Sequence, residues 1–412
     1  MIRHIMRLVW NRKRTVGLVG LEIFICFLVL AGLGTGVDHY VGLYQRPLGF
    51  DWDNVWAVSI HGLGYGDPED VQKTNRISAQ DLLRAAHSMP EVEAAAIATN
   101  QPYGSGSWIT TTYVGGKQVG LHRTYVSVRQ KDVFRINIRQ GRWLEESDAA
   151  YDYLPIVISQ NVAEGMFPGE DPIGKNLPRF DDNGKALPPG EVPEGHDATI
   201  YRVVGVSDNY HRFGELGDDV YAMFIPINFE TSSELPNEIM IRVRPGTGAL
   251  FEERLLRTFQ QVAPQWTYDT EYLPDRRRSN LMETAAPMFV LAVVGLFLVI
   301  MVGLGLVGVL WLNVTRRTSE LGLRRAMGAS AQAVRRQVLG ELWALTALAV
   351  TIGTVIFLQV PLFGANFGVG WYVFVLGVVF AAITLVGFVT LCGLYPAWLA
   401  TRVQPATALQ YE

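Results

Sequence analysis

The stretch Ala285–Leu312 reads AAPMFVLAVVGLFLVIMVGLGLVGVLWL and contains no charged residue. About 20 apolar residues in a helix are needed to cross the hydrocarbon core of a bilayer, and this stretch is longer than that. Three further runs have the same apolar character: Val16–Val37, Val338–Val360 and Trp371–Leu394. The sequence therefore predicts an integral membrane protein with four transmembrane helices.

The composition of the 412-residue chain supports this interpretation, since 49% of the residues are hydrophobic and only 18% are charged. Soluble proteins carry about 25% charged residues. The net charge of −4 and the lack of a basic stripe argue against a nucleic-acid-binding protein. Both cysteines, Cys26 and Cys392, lie in apolar runs, so we expect no disulfide framework in the soluble part.

The distribution of basic residues predicts how the chain is threaded through the membrane. Five Lys or Arg residues precede the first run and six lie in the loop 313–337, whereas the turn 361–370 has none. Short loops rich in Lys and Arg stay in the cytoplasm. We therefore expect both termini, including the tail 395–412, in the cytoplasm and the long segment 38–284 on the outer side.

The first run follows basic residues, so a cleaved signal peptide is an alternative interpretation. The run is longer than a signal-peptide apolar region and no A-x-A cleavage pattern follows it, which favours an uncleaved anchor. Before it, residues 1–15 place Ile2, Met6 and Val9 at helical spacing between arginines. This pattern predicts a basic amphipathic helix that lies on the inner leaflet of the membrane.

The segment 38–284 reads as an α+β domain in which a β-α-β pattern occurs twice. We expect one subdomain split between 38–111 and 221–284, with a second subdomain, 112–220, inserted into it. The predicted elements are strand Val55–Ile60, a helix capped by Ser78 that ends at Met89, strand Val92–Thr99, strands Pro155–Ser159 and Tyr201–Val206 of the insertion, strand Glu238–Val243, helix Gly248–Val262 and strand Trp266–Tyr272.

Two glycine patterns resemble nucleotide-binding motifs without meeting their chemical requirements. Gly169–Asn176 has the glycine spacing of a phosphate-binding loop, but Asn176 replaces the hydroxyl residue that binds Mg²⁺. Gly303, Gly305 and Gly308 have the spacing of a dinucleotide motif, but they lie within a predicted span, where small residues permit close helix packing. We interpret the first pattern as a turn and the second as a helix contact.

No catalytic or metal-binding constellation follows from residue spacing, because the seven histidines are scattered and form no H-E-x-x-H pattern. We therefore expect no catalytic residue, no bound cofactor and no metal in this chain. The run Arg276–Arg278 has two interpretations: a contact with lipid headgroups or a partner, or a solvated surface.

Two acidic residues, Glu22 and Glu341, fall within predicted spans near their cytoplasmic ends. Carboxylates inside a membrane are usually paired or functional. Two interpretations stay open for them. Either the side chains reach the membrane interface, or they form a polar contact that holds the first and third spans together.

The predicted cytoplasmic loop contains the most informative motif, since Asn313–Ser330 reads NVTRRTSELGLRRAMGAS. Glu320 and Arg324 are four residues apart, the spacing of an ion pair along a helix. Gly328 is suited to end that helix and Ser330 to cap the next one. A short helix held between two spans can pass force from a soluble partner to the membrane.

This loop resembles the diagnostic segment of the MacB/FtsX family of ABC-transporter permeases, R-x-x-E-[IL]-G-[IL]-R-[RK]-A-x-G-A. The similarity extends over most of the chain. Further segments resemble the family in the same order: Gly141–Asp148, Pro155–Ser159, Phe167–Lys175, Val203–Val206 and the ending Gly393–Leu409.

The resemblance implies a permease of the mechanotransmission type, in which two permease chains pair and two copies of an ABC ATPase bind below them. MacB itself carries a fused ATPase, whereas this chain begins at the membrane, so we expect a separate ATPase that holds ATP and Mg²⁺. The resemblance assigns ATPase coupling to the residues that match the motif: Glu320, Gly322, Arg324, Arg325, Ala326 and Gly328.

For function, the resemblance implies export of periplasmic cargo from a bacterial inner membrane, with a periplasmic adaptor and an outer-membrane channel as expected partners. Two alternatives stay open: lipoprotein extraction, as in the Lol permeases, and FtsX-like signalling to cell-wall hydrolases or sensing of peptide antibiotics. FtsX proper usually has a smaller outer domain, which weakens the signalling alternative. The sequence identifies neither the cargo nor the second permease, which is an identical chain or a paralogue.

Overall fold

The computed structural model describes residues 13–62, 68–104, 106, 108–181, 184–188, 191, 199–229, 237–316, 327, 330–363 and 369–400. The chain forms two compact units. We call Leu43–Thr284 the large domain, and Met1–Gly42 together with Ala285–Glu412 the helical bundle. The expected amphipathic helix at 1–15 falls almost entirely outside the described residues.

Helices form the bundle, and the large domain combines strands with shorter helices. The described α-helices are α1 (Lys13–Tyr44), α2 (Glu69–His87), α3 (Gln130–Phe134), α4 (Gln160–Met166), α5 (Ala249–Val262), α6 (Leu273–Arg316), α7 (Ala331–Phe357), α8 (Gln359–Leu362) and α9 (Trp371–Ala400). The described strands are β1 (Val55–His61), β2 (Val92–Ile97), β3 (Ile109–Val114), β4 (Lys117–Val126), β5 (Ile138–Gly141), β6 (Leu154–Ser159), β7 (Tyr201–Ser207), β8 (Tyr221–Pro226), β9 (Glu238–Val243) and β10 (Thr267–Tyr272).

Four of these helices, α1, α6, α7 and α9, are long and apolar enough to cross a membrane. The prediction of four spans is therefore confirmed, as is the α+β fold of the domain between the first two. Each helix extends past its apolar run at one end or both; α6, for example, begins at Leu273 rather than at Ala285. Hydropathy indicates the lipid-embedded length, whereas helical hydrogen bonding continues through the polar residues beyond it.

In the helical bundle, α1 packs against the other three long helices. Glycines let these partners approach closely, because a Cβ atom added at Gly305 of α6, Gly353 of α7 or Gly377 of α9 would collide with α1. Gly303 of α6 lies against α9 in the same way, so two glycines of the dinucleotide-like pattern, Gly303 and Gly305, serve helix packing as predicted. A Cβ atom added at Gly308 would meet no atom within 4 Å, so the prediction does not hold there. The buried residues of α1 recur at helical spacing: Val19, Ile23, Cys26, Phe27, Leu30 and Ala31.

One sheet of the large domain has four antiparallel strands in the order β10-β1-β9-β2. Val58 of β1 lies opposite Thr270 of β10 and Ile239 of β9, so the early and the late β-α-β units interleave in one sheet. Helices α2 and α5 pack on this sheet, and Leu82 and Phe259 from these helices share its buried core.

The second sheet is mixed, with six strands in the order β3-β4-β8-β6-β7-β5 that all come from the chain between β2 and β9. Its two faces bury different side chains, because alternate residues of a strand point to opposite sides. One face contributes Val157 of β6 and Phe224 of β8 to a core that also contains residues of the first sheet. The other face buries Leu121, Ile158 and Val203 under α4.

The predicted strands agree with the observed ones to within two residues at each end. The prediction of a helix capped by Ser78 is wrong, because α2 begins at Glu69 and contains Ser78 in its interior. Its N-cap residue is Pro68, and the negative charges of Glu69 and Asp70 favour the helix start. The first turns of α2 are polar, so apolar periodicity did not reveal them.

Candidate functional site

The structure describes the two ends of the expected ATPase-coupling segment. Helix α6 ends at Arg316, and α7 follows Ser330, whose side chain accepts a hydrogen bond of 3.2 Å from the backbone N–H of Ala333. The predicted cap at Ser330 is therefore confirmed. Between the helices, Met327 is 74% exposed. The coupling residues themselves lie outside the described residues: Glu320, Gly322, Arg324, Arg325, Ala326 and Gly328.

The part of α6 that belongs to the large domain is held by arginine–carboxylate pairs. The side chain of Arg276 is only 12% exposed and donates hydrogen bonds of 3.0 and 3.2 Å to Glu238 on β9. Its Nε donates a third hydrogen bond, of 2.8 Å, to Glu271 on β10. Burial disfavours the charge of Arg276, but hydrogen bonds to the two carboxylates hold its pKa above the ordinary value.

Arg277 pairs with Glu215, whose side chain is only 5% exposed. Its guanidinium lies 4.4 Å from the ring centre of Trp52, a cation–π distance. The hydroxyl of Tyr103 lies 3.5 Å from Oε2 of Glu215, and burial, followed by the charge of Glu215, raises the pKa of Tyr103. We define the helix-base cluster as Trp52, Tyr103, Glu215, Glu238, Glu271, Arg276 and Arg277.

The helix-base cluster contradicts a solvated surface for Arg276 and Arg277, whereas a contact of the run Arg276–Arg278 with lipid headgroups or a partner stays a prediction. Only Arg278 is exposed. A guanidinium presents a rigid planar fork that matches a carboxylate, so Arg276 and Arg277 fix the first turns of α6 to the body of the large domain. Residue spacing gave no signal for the pairs with Glu238 and Glu215, because these partners lie 38 and 62 positions away in the sequence.

Arg242 on β9 is another buried arginine that residue spacing did not reveal. It is 2% exposed and donates to the carbonyls of Val133, Asp53 and Asp51 at 2.6, 2.8 and 2.9 Å. Burial lowers the pKa of Arg242, and the carboxylate of Asp51 opposes that shift. Because Val133 lies on α3, Arg242 ties the four-stranded sheet to the helix that follows β4.

Arg212 is 1% exposed and holds the chain near Gly104 and Gly106 by donating from Nη2 to their carbonyls. Its Nε and Nη1 have no hydrogen-bond partner among the described residues. Next to it, His122 is 8% exposed, and burial, assisted by the charge of Arg212, lowers the pKa of His122 to about 4. His122 is therefore neutral at physiological pH.

Of the two intramembrane acids, Glu22 on α1 faces the second span. A Cβ atom added at Gly305 of α6 would lie 2.9 Å from Oε2 of Glu22. That oxygen is buried and has no hydrogen-bond partner among the described residues. Glu341 on α7 is half-buried. The neighbour described for Glu22 is thus on the second span, and the expected contact between the first and third spans stays a prediction.

The phosphate-loop-like pattern Gly169–Asn176 forms a turn, as predicted. Gly169 and Gly174 have left-handed backbone conformations, with φ angles of 76° and 79°. Lys175 pairs with Glu170, so its charge is already neutralised within the turn. In the part of the chain that the structure describes, no group of His, Cys, Asp or Glu side chains is placed to hold a metal ion.

These features define a multi-pass membrane protein with a large α+β domain inserted between its first and second spans. The sequence matches the profile of the MacB-like periplasmic core domain over residues 23–257. It also matches the profile of the FtsX-like permease C-terminal region over residues 277–405. The chain belongs to the MacB/FtsX-like family of ABC-transporter permeases.

Two relatives illustrate the similarity. The macrolide export ATP-binding/permease protein MacB of Syntrophobacter fumaroxidans is 24% identical over 82% of this chain and 53% of its own length. The probable syringafactin export ATP-binding/permease protein SyfD of Pseudomonas syringae is 24% identical over 98% of this chain and 57% of its own. The chain thus spans little more than half the length of these curated relatives.

Solved structures also show similarity to this chain. One of them is the periplasmic region of MacB from Actinobacillus actinomycetemcomitans, with 15% identity and a TM-score of 0.35. The similarity covers 58% of this chain and 97% of that one.

Proposed function

We propose that the chain is the membrane permease subunit of a MacB-like ABC transporter. An ABC ATPase, expected as a separate subunit, hydrolyses ATP, and the permease converts that cycle into movement of its large domain. This movement drives the export of periplasmic cargo. The observation that carries the proposal is the match of one chain to both a MacB-like periplasmic core domain and an FtsX-like permease region.

Helix α6 supports the proposal because its residues belong to both units. It begins at Leu273 in the large domain and continues without interruption to Arg316 in the helical bundle. Within the large domain, the helix-base cluster fixes its first turns to Glu238 on β9 and Glu271 on β10. In our proposal, a displacement of α6 is therefore transmitted to the four-stranded sheet through these ion pairs.

We assign the coupling to residues 313–330, at the positions that match the family motif. The defined start of α7 and the exposed apolar side chain of Met327 suit a docking segment. ATP and Mg²⁺ are held by the ATPase in this assembly, so the permease needs no cofactor of its own. Two ATPase copies and a second permease, identical or a paralogue, complete it.

The proposed orientation has both termini in the cytoplasm and the large domain in the periplasm of a cell with a bacterial inner membrane. The excess of Lys and Arg before the first span and between the second and third supports this orientation. A periplasmic adaptor and an outer-membrane channel are further proposed partners.

The first experiment is to purify the tagged chain from its native membrane and to identify the proteins that accompany it. We expect an ABC ATPase together with a periplasmic adaptor, and a second permease would distinguish a heterodimer from a homodimer. A lipoprotein carrier would instead indicate Lol-like extraction, and a cell-wall hydrolase would indicate FtsX-like signalling. Recovery without any ATPase would contradict the proposal.

Two substitutions test the coupling segment in the reconstituted complex. We expect Gly328→Pro and Arg324→Glu to abolish ATP-dependent activity while the permease still inserts and its large domain still folds. Arg335→Glu is the matched control, because this arginine is exposed on α7 and lies outside the motif. Normal ATP-dependent activity in either motif variant would refute the assignment.

A further inference from the structure

The six-stranded sheet carries a cavity of about 480 Å³ on the face that α4 covers, at the end formed by β3 and β4. Its lining includes Thr110 and Thr112 of β3, Arg123 of β4 and Tyr201 of β7, and the segment 177–181 closes one side. Small-molecule sites have volumes of about 300–1,000 Å³, so the cavity has the size of such a site. It is separate from the helix-base cluster and from the coupling segment.

Arg123 is the charged centre of this cavity. Its Nη2 donates hydrogen bonds of 2.6 and 2.7 Å to the phenol oxygens of Tyr125 and Tyr201. Its guanidinium carbon lies 5.5 and 5.6 Å from the centres of the same two rings. The two tyrosines therefore hold the guanidinium in a defined position through both hydrogen bonds and cation–π contacts.

Among the residues that the structure describes, the positive charge of Arg123 has no counter-ion. Its Nε is buried without a hydrogen-bond partner, and no carboxylate in the described ranges forms a salt bridge with it. Arg276, by contrast, has two carboxylates. A partly buried cation without an anion costs free energy, and a bound anion would recover it.

The remaining walls show what kind of anion fits. Phe180 and Tyr201 offer aromatic surface, while Thr110 and Thr112 offer hydroxyl groups. The acid in the described lining, Asp181, accepts the backbone N–H of Lys185 at 2.8 Å, so its carboxylate serves its own loop. The described lining also contains Arg179, which donates to the carbonyl of Thr199 at 2.6 Å. The cavity thus combines two guanidinium groups with apolar and hydroxyl surfaces.

We propose that this cavity binds a small carboxylic acid with a flat apolar body. The carboxylate pairs with Arg123, since a planar guanidinium matches two carboxylate oxygens better than a point charge does. The apolar body packs against Phe180 and Tyr201, and the threonine hydroxyls donate to the carboxylate. This inference goes beyond the export function and stands without it, because it concerns only the inserted sheet.

Cinnamate is the probe. Cinnamyl alcohol is the matched neutral control, because it has the same skeleton without the charge. Equilibrium dialysis measures the binding of each to the full chain in lipid nanodiscs, and empty nanodiscs report partition into lipid. We expect cinnamate to saturate one site per chain and to bind at least about tenfold more tightly than the alcohol, because only the acid forms charge-assisted hydrogen bonds. Equal binding of the two, or no saturable binding of cinnamate, overturns the proposal.

Arg123→Gln removes the charge and should weaken cinnamate binding about tenfold or more. Arg244→Gln changes an exposed arginine outside the cavity and should bind like the native chain. Undiminished binding by Arg123→Gln overturns the assignment of this residue. If Arg123→Gln does not fold, Tyr201→Phe is used instead. It is expected to weaken cinnamate binding because it removes the hydroxyl that accepts a hydrogen bond from Arg123. The comparison of cinnamate with cinnamyl alcohol on the native chain tests the proposal independently of both variants.

Discussion

The large domain and the helical bundle differ in how their interiors pack and in how their buried polar groups are partnered. In the large domain, the buried arginines Arg276 and Arg242 are met by carboxylates or backbone carbonyls. Arg123 and Arg212 are exceptions, since each keeps a buried nitrogen without a hydrogen-bond partner among the described residues. In the bundle, oxygen atoms of Glu22, Thr35 and Thr346 are buried without hydrogen-bond partners among the described residues. The helices there meet at glycines instead.

The difference follows from the surroundings, since the large domain folds in water and the helical bundle in lipid. A charge that leaves water on folding needs a partner, because burial without one is costly. Between helices in lipid there is little hydrophobic gain, so the close approach permitted by small residues decides the packing. We therefore expect loss of charge to harm the large domain and added bulk to harm the bundle. Hydrogen–deuterium exchange with peptide mapping follows both regions in one sample.

The largest effect is expected from Arg276→Met, which leaves Glu238 and Glu271 without their partner. Because breaking a buried pair strands the remaining charge, we expect the large domain to lose about 2–4 kcal/mol of stability. Faster exchange in β9 and β10, with unchanged exchange in α9, is the expected result.

Arg278→Met is the control for this variant, because Arg278 lies two positions further along the same helix and is exposed. Adding Glu238→Gln to Arg276→Met should restore part of the protection, since it removes one stranded charge. Equal exchange in Arg276→Met and Arg278→Met would show that the helix-base cluster does not stabilise the domain.

The next effect is a dependence on pH that should be confined to the large domain. His122 has a pKa lowered by burial from 6.5 to about 4, so between these values the unfolded chain binds a proton that the folded chain does not. The contribution of His122 to the free energy of unfolding is therefore fully present above pH 6.5. It is lost on acidification toward pH 4, by at most about 3 kcal/mol.

The measurement is exchange in β4 at pH 7 and at pH 5, corrected for the intrinsic effect of pH on exchange. His122→Gln should lose part of the acid sensitivity. An identical pH dependence in the native chain and in His122→Gln would exclude His122 as its source.

A smaller effect, in the bundle, is expected from Gly377→Ala. The added Cβ atom would lie 2.6 Å from the carbonyl oxygen of Ala31 and 2.8 Å from the backbone nitrogen of Thr35, so α1 and α9 must separate. Overpacking of this kind costs about 1–3 kcal/mol. Gly387→Ala is the control on the same helix, because its Cβ would meet no atom within 4 Å. Similar exchange of α9 in both variants would contradict the packing role of Gly377.

The smallest effect is expected from Glu22→Gln, which removes a charge and nearly keeps the shape. Because Oε2 of Glu22 has no partner among the described residues, bundle protection should be unchanged or higher. A clear loss of protection would instead support the polar contact between the first and third spans that the sequence suggested. The measurement is hydrogen–deuterium exchange in α1 and α7, compared between Glu22→Gln and the native chain.

Apolar patterns predicted the spans and the strands well because burial alone produces them. The strand Glu238–Val243 agrees at both ends with its prediction, and its last five residues are all buried. The start of α2 was missed because its signal, Pro68 followed by Glu69 and Asp70, is polar and local. The side-chain pairs of the helix base were not predictable, since Arg276 and Glu238 are 38 positions apart and Arg277 and Glu215 are 62 apart.

The strand order of the four-stranded sheet also has a consequence for the synthesis of the protein. Strand β1 lies between β10 and β9, and the ribosome makes both only after the whole inserted sheet. Until then β1 and β2 present unpaired edges, which favour wrong pairing with other chains. Strand β10 ends at Tyr272 and α6 begins at Leu273, so the strand that completes the sheet leads directly into the second span. The strand that closes the sheet and the second span are thus synthesised consecutively, and a nascent chain arrested before Thr267 would carry an unfinished sheet.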